Sequence, residues 1–358
     1  MAAPKDSSSS QQHAPGPETL DLFPAQTKRV ARVPGPVLND HTADRGYGAP
    51  ALRTARDAVE HEAVLGTAAA LAARGEAEVT VVGCDAAGRV DPERVAAAVR
   101  GDTTLVSMML ANNEVGCVQD VADAARLVRL ANPRTLVHTD AVQALGRLAV
   151  DPRALGVDLL SLSAHKCYGP KGCGVLYARW GTRLTTQMDG GGQERERRSG
   201  TENVAGIAGF AVAAELVEGE REDEGTRLGA LRDCLEAAVL DRTAHVRVAA
   251  RAAQRLPNMS ALLVDEASAE ALVAALDGAG VEVSGGSACA SGAARPSHVL
   301  AAMGEDPGRT ALLRLSMGRG TLAADVDDAV DHLVEAIDTA TASAGKPLKR
   351  RALSAAGG

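Results

Sequence analysis

The sequence is poor in aromatic residues, with two Phe, three Tyr and one Trp among 358 positions. A core for a chain of this size must therefore be built from Ala, Val and Leu, which bury less area per side chain. Long apolar runs are missing as well. No uninterrupted stretch approaches the length that crosses a bilayer, and Met1–Gln12 lacks the apolar segment of a secretion signal. Nor is there an excess of positive charge. The formal net charge is −8, which argues against non-specific binding to nucleic acid or to an anionic membrane. The six cysteines (Cys84, Cys117, Cys167, Cys173, Cys234 and Cys289) are scattered without any Cys-x-x-Cys spacing, so no metal site is expected. A cytoplasmic protein with reduced thiols follows by default, and among these cysteines Cys289 stands out for its surroundings.

What is present is ordinary for a globular chain, 46% hydrophobic and 23% charged, and long enough for one large and one small domain. Residues 1–45, rich in Ser, Gln, Pro and Ala, read as a disordered or irregular leader. Residues 46–240 read as a large domain, 241–345 as a small C-terminal one, and 346–358 as a disordered tail. Ala49–Leu71 has helical spacing. From Glu76 strands and helices alternate: strands at Glu78–Val82, Thr103–Leu110, Thr135–Thr139, Val157–Ser163 and Gly174–Trp180, with a helix opened by Asp91-Pro92 and another at Val121–Leu130. Near-continuous apolar strands between helices mean an α/β fold with a mostly parallel sheet covered on both faces. Helices at Ala205–Glu218 and Thr226–Leu240 lead to the small α+β domain. It has strands at His245–Ala249, Ser260–Val264, Val281–Ser284 and Leu312–Met317, and helices at Ala267–Leu276 and from Thr321.

Polar groups fall at the ends of successive strands: Asn113 after one, Asp140 and Gln143 after the next, then Ser163, His165 and Lys166. In a parallel sheet those ends lie side by side and form a crevice. A lysine there can lose its proton and form a Schiff base with a carbonyl. An Asp that pairs with a pyridinium nitrogen is the second part that pyridoxal 5'-phosphate needs. Each residue has a plainer reading alone: Asp140 as a cap, Asn113 as a turn former, Lys166 as a surface lysine. Their order along the sheet favours the joint reading.

With these residues in view, the sequence resembles the cysteine desulfurases of the class V aminotransferase fold, which are fold type I pyridoxal-phosphate enzymes. The matching strings are Glu60-His61, Asn112-Asn113-Glu114-Val115-Gly116, His138-Thr139-Asp140-Ala141-Val142-Gln143 and Ser163-Ala164-His165-Lys166. Gly190–Glu194, Arg198-Ser199-Gly200-Thr201, Gly286-Ser287-Ala288-Cys289-Ala290-Ser291-Gly292 and Arg314-Leu315-Ser316-Met317-Gly318-Arg319 complete the set. The resemblance implies that Lys166 binds the cofactor covalently and that His61 stacks on its ring and assists proton transfer. It places Asp140 on the ring nitrogen and Gln143 on the phenolic oxygen. Ser163 and His165 would hold the phosphate, with Thr201 contributed across a homodimer. Asn113 and Arg314 would take the substrate carboxylate. Cys289, in a loop of small residues, would be the nucleophile that removes sulfur from L-cysteine as a persulfide, leaving L-alanine. The long loop is similar to that of the subgroup serving iron–sulfur scaffold proteins and tRNA-thiolation enzymes, so a sulfur-acceptor protein is the expected partner.

The sequence departs from the family at its start. The family has an Asp-Asn-Ala-Ala-Thr-Thr-like strand and a Gly-Ala-Thr-Glu loop, and neither string occurs here. Ala51–Val59 looks weakly like the helix ahead of that loop, and on that reading a phosphate-binding segment is missing before Glu60-His61. Two competing functions are a cofactor-poor, non-catalytic partner in sulfur transfer and another class V enzyme, such as an aminotransferase or a selenocysteine lyase.

Overall fold

The computed structural model describes residues 20–24, 52–186, 188–286 and 296–344. Its larger sheet has seven strands: β1 (Leu20–Pro24), β2 (Leu52–Asp57), β3 (Ala77–Val82), β4 (Leu105–Ser107), β5 (Leu136–Asp140), β6 (Leu159–Ser163) and β7 (Cys173–Ala178). Their spatial order is β1-β7-β6-β5-β4-β2-β3. Strands β3, β2, β4, β5 and β6 pair in parallel, and β7 is antiparallel to β6. β1 pairs antiparallel with β7 and so runs in the sense of β6; five residues of the stretch read as a leader thus form an edge strand. The α/β expectation is met.

Helices α1 (Glu62–Ala73), α2 (Pro92–Ala97) and α3 (Val121–Ala131) connect the parallel strands. Their starts are written in the sequence. His61 caps α1, Asp91 caps α2 ahead of a proline at the first turn, and Asp120 caps α3 by accepting from the Asp123 N–H. The short turn α4 (Gln193–Glu196) and the long helices α5 (Val204–Gly219) and α6 (Arg221–Arg242) follow β7.

The smaller sheet is antiparallel, with order β10-β9-β8, built from β8 (Val246–Val248), β9 (Met259–Asp265) and β10 (Thr310–Ser316). Helices α7 (Ala269–Gly278), α8 (His298–Ala302) and α9 (Ala323–Ala344) belong to this half. Helix α6, assigned to the large domain by the sequence, places Leu228, Leu235 and Val239 in one core with Leu262, Leu313 and Ile337 of the small sheet and α9.

Two expected elements differ. Where a helix was expected, Leu52–Asp57 is the strand β2, hydrogen-bonded to β3 on one side and β4 on the other, and a two-residue turn leads from it to Glu60-His61. Ala and Arg favour a helix locally, but two waiting ladders outweigh that preference. Val281–Ser284 is not a regular strand either, since only Ser284 makes a bridge, to Arg314.

Candidate active site

The parallel strands bring Ser107, Asp140 and Ser163 to one edge of the sheet, at the carboxyl ends of β4, β5 and β6. The register sets Asp140 beside Ser161 and Ser107 beside His138. Asp140 is buried, and its carboxylate accepts one hydrogen bond, from the Val142 N–H at 2.9 Å. Burial raises its pKa above the ordinary carboxylate range, and His61 nearby draws it partly back. The His61 ring accepts the Ala63 N–H at Nδ1, 3.1 Å away, which puts the imidazole proton of the neutral ring on Nε2. The helix cap thereby fixes the ring that the sequence placed at the site.

Lys166 closes a single 3-10 turn, Ala164–Lys166, directly after β6. That turn is tightly held. Ala164 C=O accepts from the Cys167 N–H at 3.0 Å and from the Gly169 N–H at 2.9 Å. A Cβ at Gly169 would lie 3.0 Å from the Ala164 side chain and carbonyl, so any larger residue would force the turn to shift. Arg147 donates to the Lys166 carbonyl and to the Leu145 carbonyl, each at 3.2 Å. Tyr168, at φ 64°, points its hydroxyl at the link between β10 and α9 and accepts the Arg319 N–H at 3.0 Å. The Arg319 guanidinium lies 5.9 Å from the centre of the same ring.

Of the other expected residues, Ser163 and His165 come together, with Oγ and Nδ1 2.8 Å apart. Asn113 and Arg314 also meet: the Arg314 guanidinium donates to the Asn113 carbonyl at 2.7 Å, joining the two halves of the molecule. Gln143 is half-buried in the turn after β5. Thr201, exposed ahead of α5, lines a small cavity with Cys173 and Gly174, and Gly174 is the register partner of Ser163. Cys289, with Ser287–Arg295, lies outside the described residues.

Three residues that the sequence reading gave no role support these groups. The Asn112 amide oxygen accepts the Glu114 and Val115 N–H groups at 2.8 Å each, and its NH2 donates to the Val59 carbonyl at 2.9 Å. It therefore shapes the turn that presents Asn113 and ties it to the link between β2 and α1. The Asn-x-x-x-Gly pattern before Gly116, at φ 74°, was the available signal. Arg147 and Tyr168 had no such signal, because their partners are distant in sequence.

The donor set fits pyridoxal phosphate. The decisive feature is Asp140, a buried carboxylate with a single backbone donor and no lysine or arginine paired to it among the described residues. A protonated pyridine nitrogen is the partner such a group requires. A lysine one strand away and a hydroxyl with an imidazole beside it complete the set.

Comparison with known proteins points the same way. The family described as aminotransferase class-V matches residues 55–329. A cysteine desulfurase of Bradyrhizobium diazoefficiens is 45% identical over 273 residues, 76% of this chain and 68% of that protein. The cysteine desulfurase IscS of Anaeromyxobacter dehalogenans is 40% identical over 321 residues, 87% of this chain and 78% of its own length. Among solved structures, a NifS-like protein superposes with a TM-score of 0.74 at 35% identity, covering 80% of this chain and 75% of that one.

Proposed function

The chain belongs to the class V aminotransferase family, as one of its pyridoxal-phosphate-dependent cysteine desulfurases, and from that premise we propose how its own residues carry out the reaction. Bound pyridoxal phosphate supplies a carbonyl for the substrate amine and a ring that draws electrons from the substrate's Cα. Lys166, fixed by the turn after β6, is the amine that holds it. Asp140 takes the ring nitrogen, and Gln143 the phenolic oxygen. Ser163 and His165 hold the phosphate, joined by Thr201 of a second copy. Arg314 and Asn113 orient the carboxylate of L-cysteine, for which a guanidinium fork is suited. His61 moves the proton at the reacting carbon through Nε2, since Nδ1 accepts the Ala63 N–H. The Cys289 thiolate attacks the substrate sulfur. A sulfur–sulfur bond forms, the Cβ–S bond breaks, and its electron pair stays on Cβ, which takes a proton to become the methyl of L-alanine.

The observation that carries this reading is Asp140, a buried carboxylate kept beside His61 with no lysine or arginine paired to it among the described residues. An assay of L-alanine release from L-cysteine tests it, with Lys166→Ala as the comparison. The wild-type protein is expected to release alanine and the variant none above background, because no other amine occupies that position. Equal release from both would remove Lys166 from the reaction.

A homodimer is part of the proposal. Helix α5 leaves Val204, Val212 and Leu216 exposed at 71%, 57% and 49%, spaced four and eight residues apart on one face. Thr201 precedes that helix directly, so an interface along it would place Thr201 near a neighbouring site. A monomeric mass in solution at assay concentrations would contradict this arrangement. The persulfide sulfur then passes to an acceptor protein, an iron–sulfur scaffold or a thiolation enzyme.

A further inference from the structure

Beneath the site lies a set of buried ionisable groups that the reaction leaves without a part. Glu60 is 0% exposed, in the link between β2 and α1. Its Oε1 is 2.7 Å from Ser107 Oγ, that hydroxyl is 2.8 Å from His138 Nδ1, and His138 Nε2 is 2.9 Å from Ser161 Oγ. The four groups come from the link after β2, from β4, from β5 and from β6, so the chain of hydrogen bonds crosses the sheet one element at a time. Glu60, Ser107 and His138 are buried and Ser161 is half-buried. Facing Glu60 are Asp57, Asp140, Arg56 and the backbone N–H of His61, and His298 Nε2 lies 3.0 Å from the Glu60 carbonyl.

Three carboxyl groups this close, out of water, do not all ionise. Their donors differ. Asp57 accepts the Val59 N–H at 2.9 Å and the Met109 N–H at 3.0 Å. Asp140 accepts the Val142 N–H and faces His61. Glu60 has Ser107 Oγ at Oε1 and the His61 N–H facing its carboxyl, while Oε2 makes no hydrogen bond of good geometry among the described residues. An unpartnered oxygen of a neutral acid costs far less than one of a carboxylate. Burial and the two neighbouring carboxyls push the Glu60 pKa well above its usual range, and burial pulls His138 down to about 4, so its ring is neutral.

We infer that Glu60 is the proton-holding member of this chain and a positioning residue for the reaction, leaving the negative charge at the base of the site to Asp140. The inference rests on the role proposed above for Asp140. A neutral Glu60 donates from Oε1 to Ser107, Ser107 donates to His138 Nδ1, and His138 Nε2–H donates to Ser161. The carboxylate would reverse every bond: Ser161 to Nε2, Nδ1–H to Ser107, Ser107 to Oε1. On that reversal Glu60 gives its proton to Ser107, each group passes on the one it held, and one proton leaves at the Ser161 hydroxyl. The orientation of the whole chain therefore records the protonation of Glu60.

The test is the tautomer of His138 in the purified holoprotein, read by nitrogen–proton correlation after 15N-histidine labelling and assigned by its loss in His138→Gln. At neutral pH the wild type is expected to carry the proton on Nε2. Glu60→Gln, whose amide donates to Ser107 as the neutral acid does, is expected to leave that tautomer unchanged. A proton on Nδ1 in the wild type, or a switch of tautomer in Glu60→Gln, would overturn the inference; the wild-type measurement decides alone if the variant does not fold. The positioning role is tested by the pH profile of alanine release. Glu60→Gln is expected to keep the wild-type limbs and Glu60→Ala to shift them, whereas three superimposed profiles would refute the role. A protein that releases no alanine yet shows the Nε2 tautomer would defeat the functional reading and leave the proton on Glu60.

Discussion

At the carboxyl edge of the seven-stranded sheet the buried groups include Asp57, Glu60, Ser107, His138 and Asp140, whereas the three-stranded sheet buries Leu262, Val264, Leu313 and Leu315. The small half has polar groups too, but its buried acid has a matched cation. Glu236, almost fully buried, receives a two-pronged grip from Arg255 at 2.6 and 3.0 Å and a third bond from Ser260 at 2.8 Å. At the surface, Arg247 bridges Asp265 and Glu305. Among the described residues Glu60 and Asp140 have no such grip. Glu236 is neutralised on the spot by Arg255, whereas Asp140 and Glu60 are left short of a cation among the described residues. The comparison separates stability from function along the chain, and it can be attacked from either side.

Removing apolar volume from the small sheet should give the largest effect. Leu313, 0% exposed, sits at the centre of its core. Leu313→Ala is expected to cost about 3 kcal/mol in chemical denaturation, within the usual range for buried leucines. The cofactor absorbance of the folded variant should be unaltered. A changed absorbance would mean that the two regions are not separate.

Asp140→Asn should do the reverse. Alanine release is expected to fall about a hundredfold, about 2.7 kcal/mol in barrier, because an amide stabilises a protonated ring nitrogen poorly. Stability of the cofactor-free protein should hold or rise, since there the buried charge has no cofactor nitrogen to pair with. Unchanged turnover would reduce Asp140 to a cap for the turn at Val142.

The smallest effect is one of pH. Folded His138 stays neutral down to about pH 4, whereas an unfolded imidazole takes its proton near pH 6.5. Stability tied to this residue is therefore present in full above that value and lost as pH falls toward 4. Between pH 7 and 4.5 the wild type should lose about 2 kcal/mol more than His138→Gln. Parallel curves for the two proteins would mean that the ring is not buried as a neutral base.

Much of the site was legible because its residues end local patterns. Asp140, Ser163 and Lys166 each follow an apolar run of strand length, and the glycines after Lys166 announce the turn. Capped helices such as α2 and α3 were legible for the same reason. β2 was not, because Leu52-Arg53-Thr54-Ala55-Arg56-Asp57 has helix-forming residues and becomes a strand only through β3 and β4. The buried chain from Glu60 to Ser161 was out of reach too. Its successive members stand 47, 31 and 23 residues apart, and no local spacing reports such a set. The clasp between Tyr168 and Arg319 is hidden in the same way, by a separation of 151 residues.

The central claim is that this chain takes sulfur from L-cysteine onto one cysteine of its own. The most direct measurement incubates the purified protein with sulfur-labelled L-cysteine, traps persulfides by alkylation and maps the label to peptides. The account predicts label on the peptide containing Cys289, matched by released L-alanine, and none in Cys289→Ser. Label at wild-type yield on Cys84, Cys234 or another cysteine, or persisting in Cys289→Ser, would contradict it.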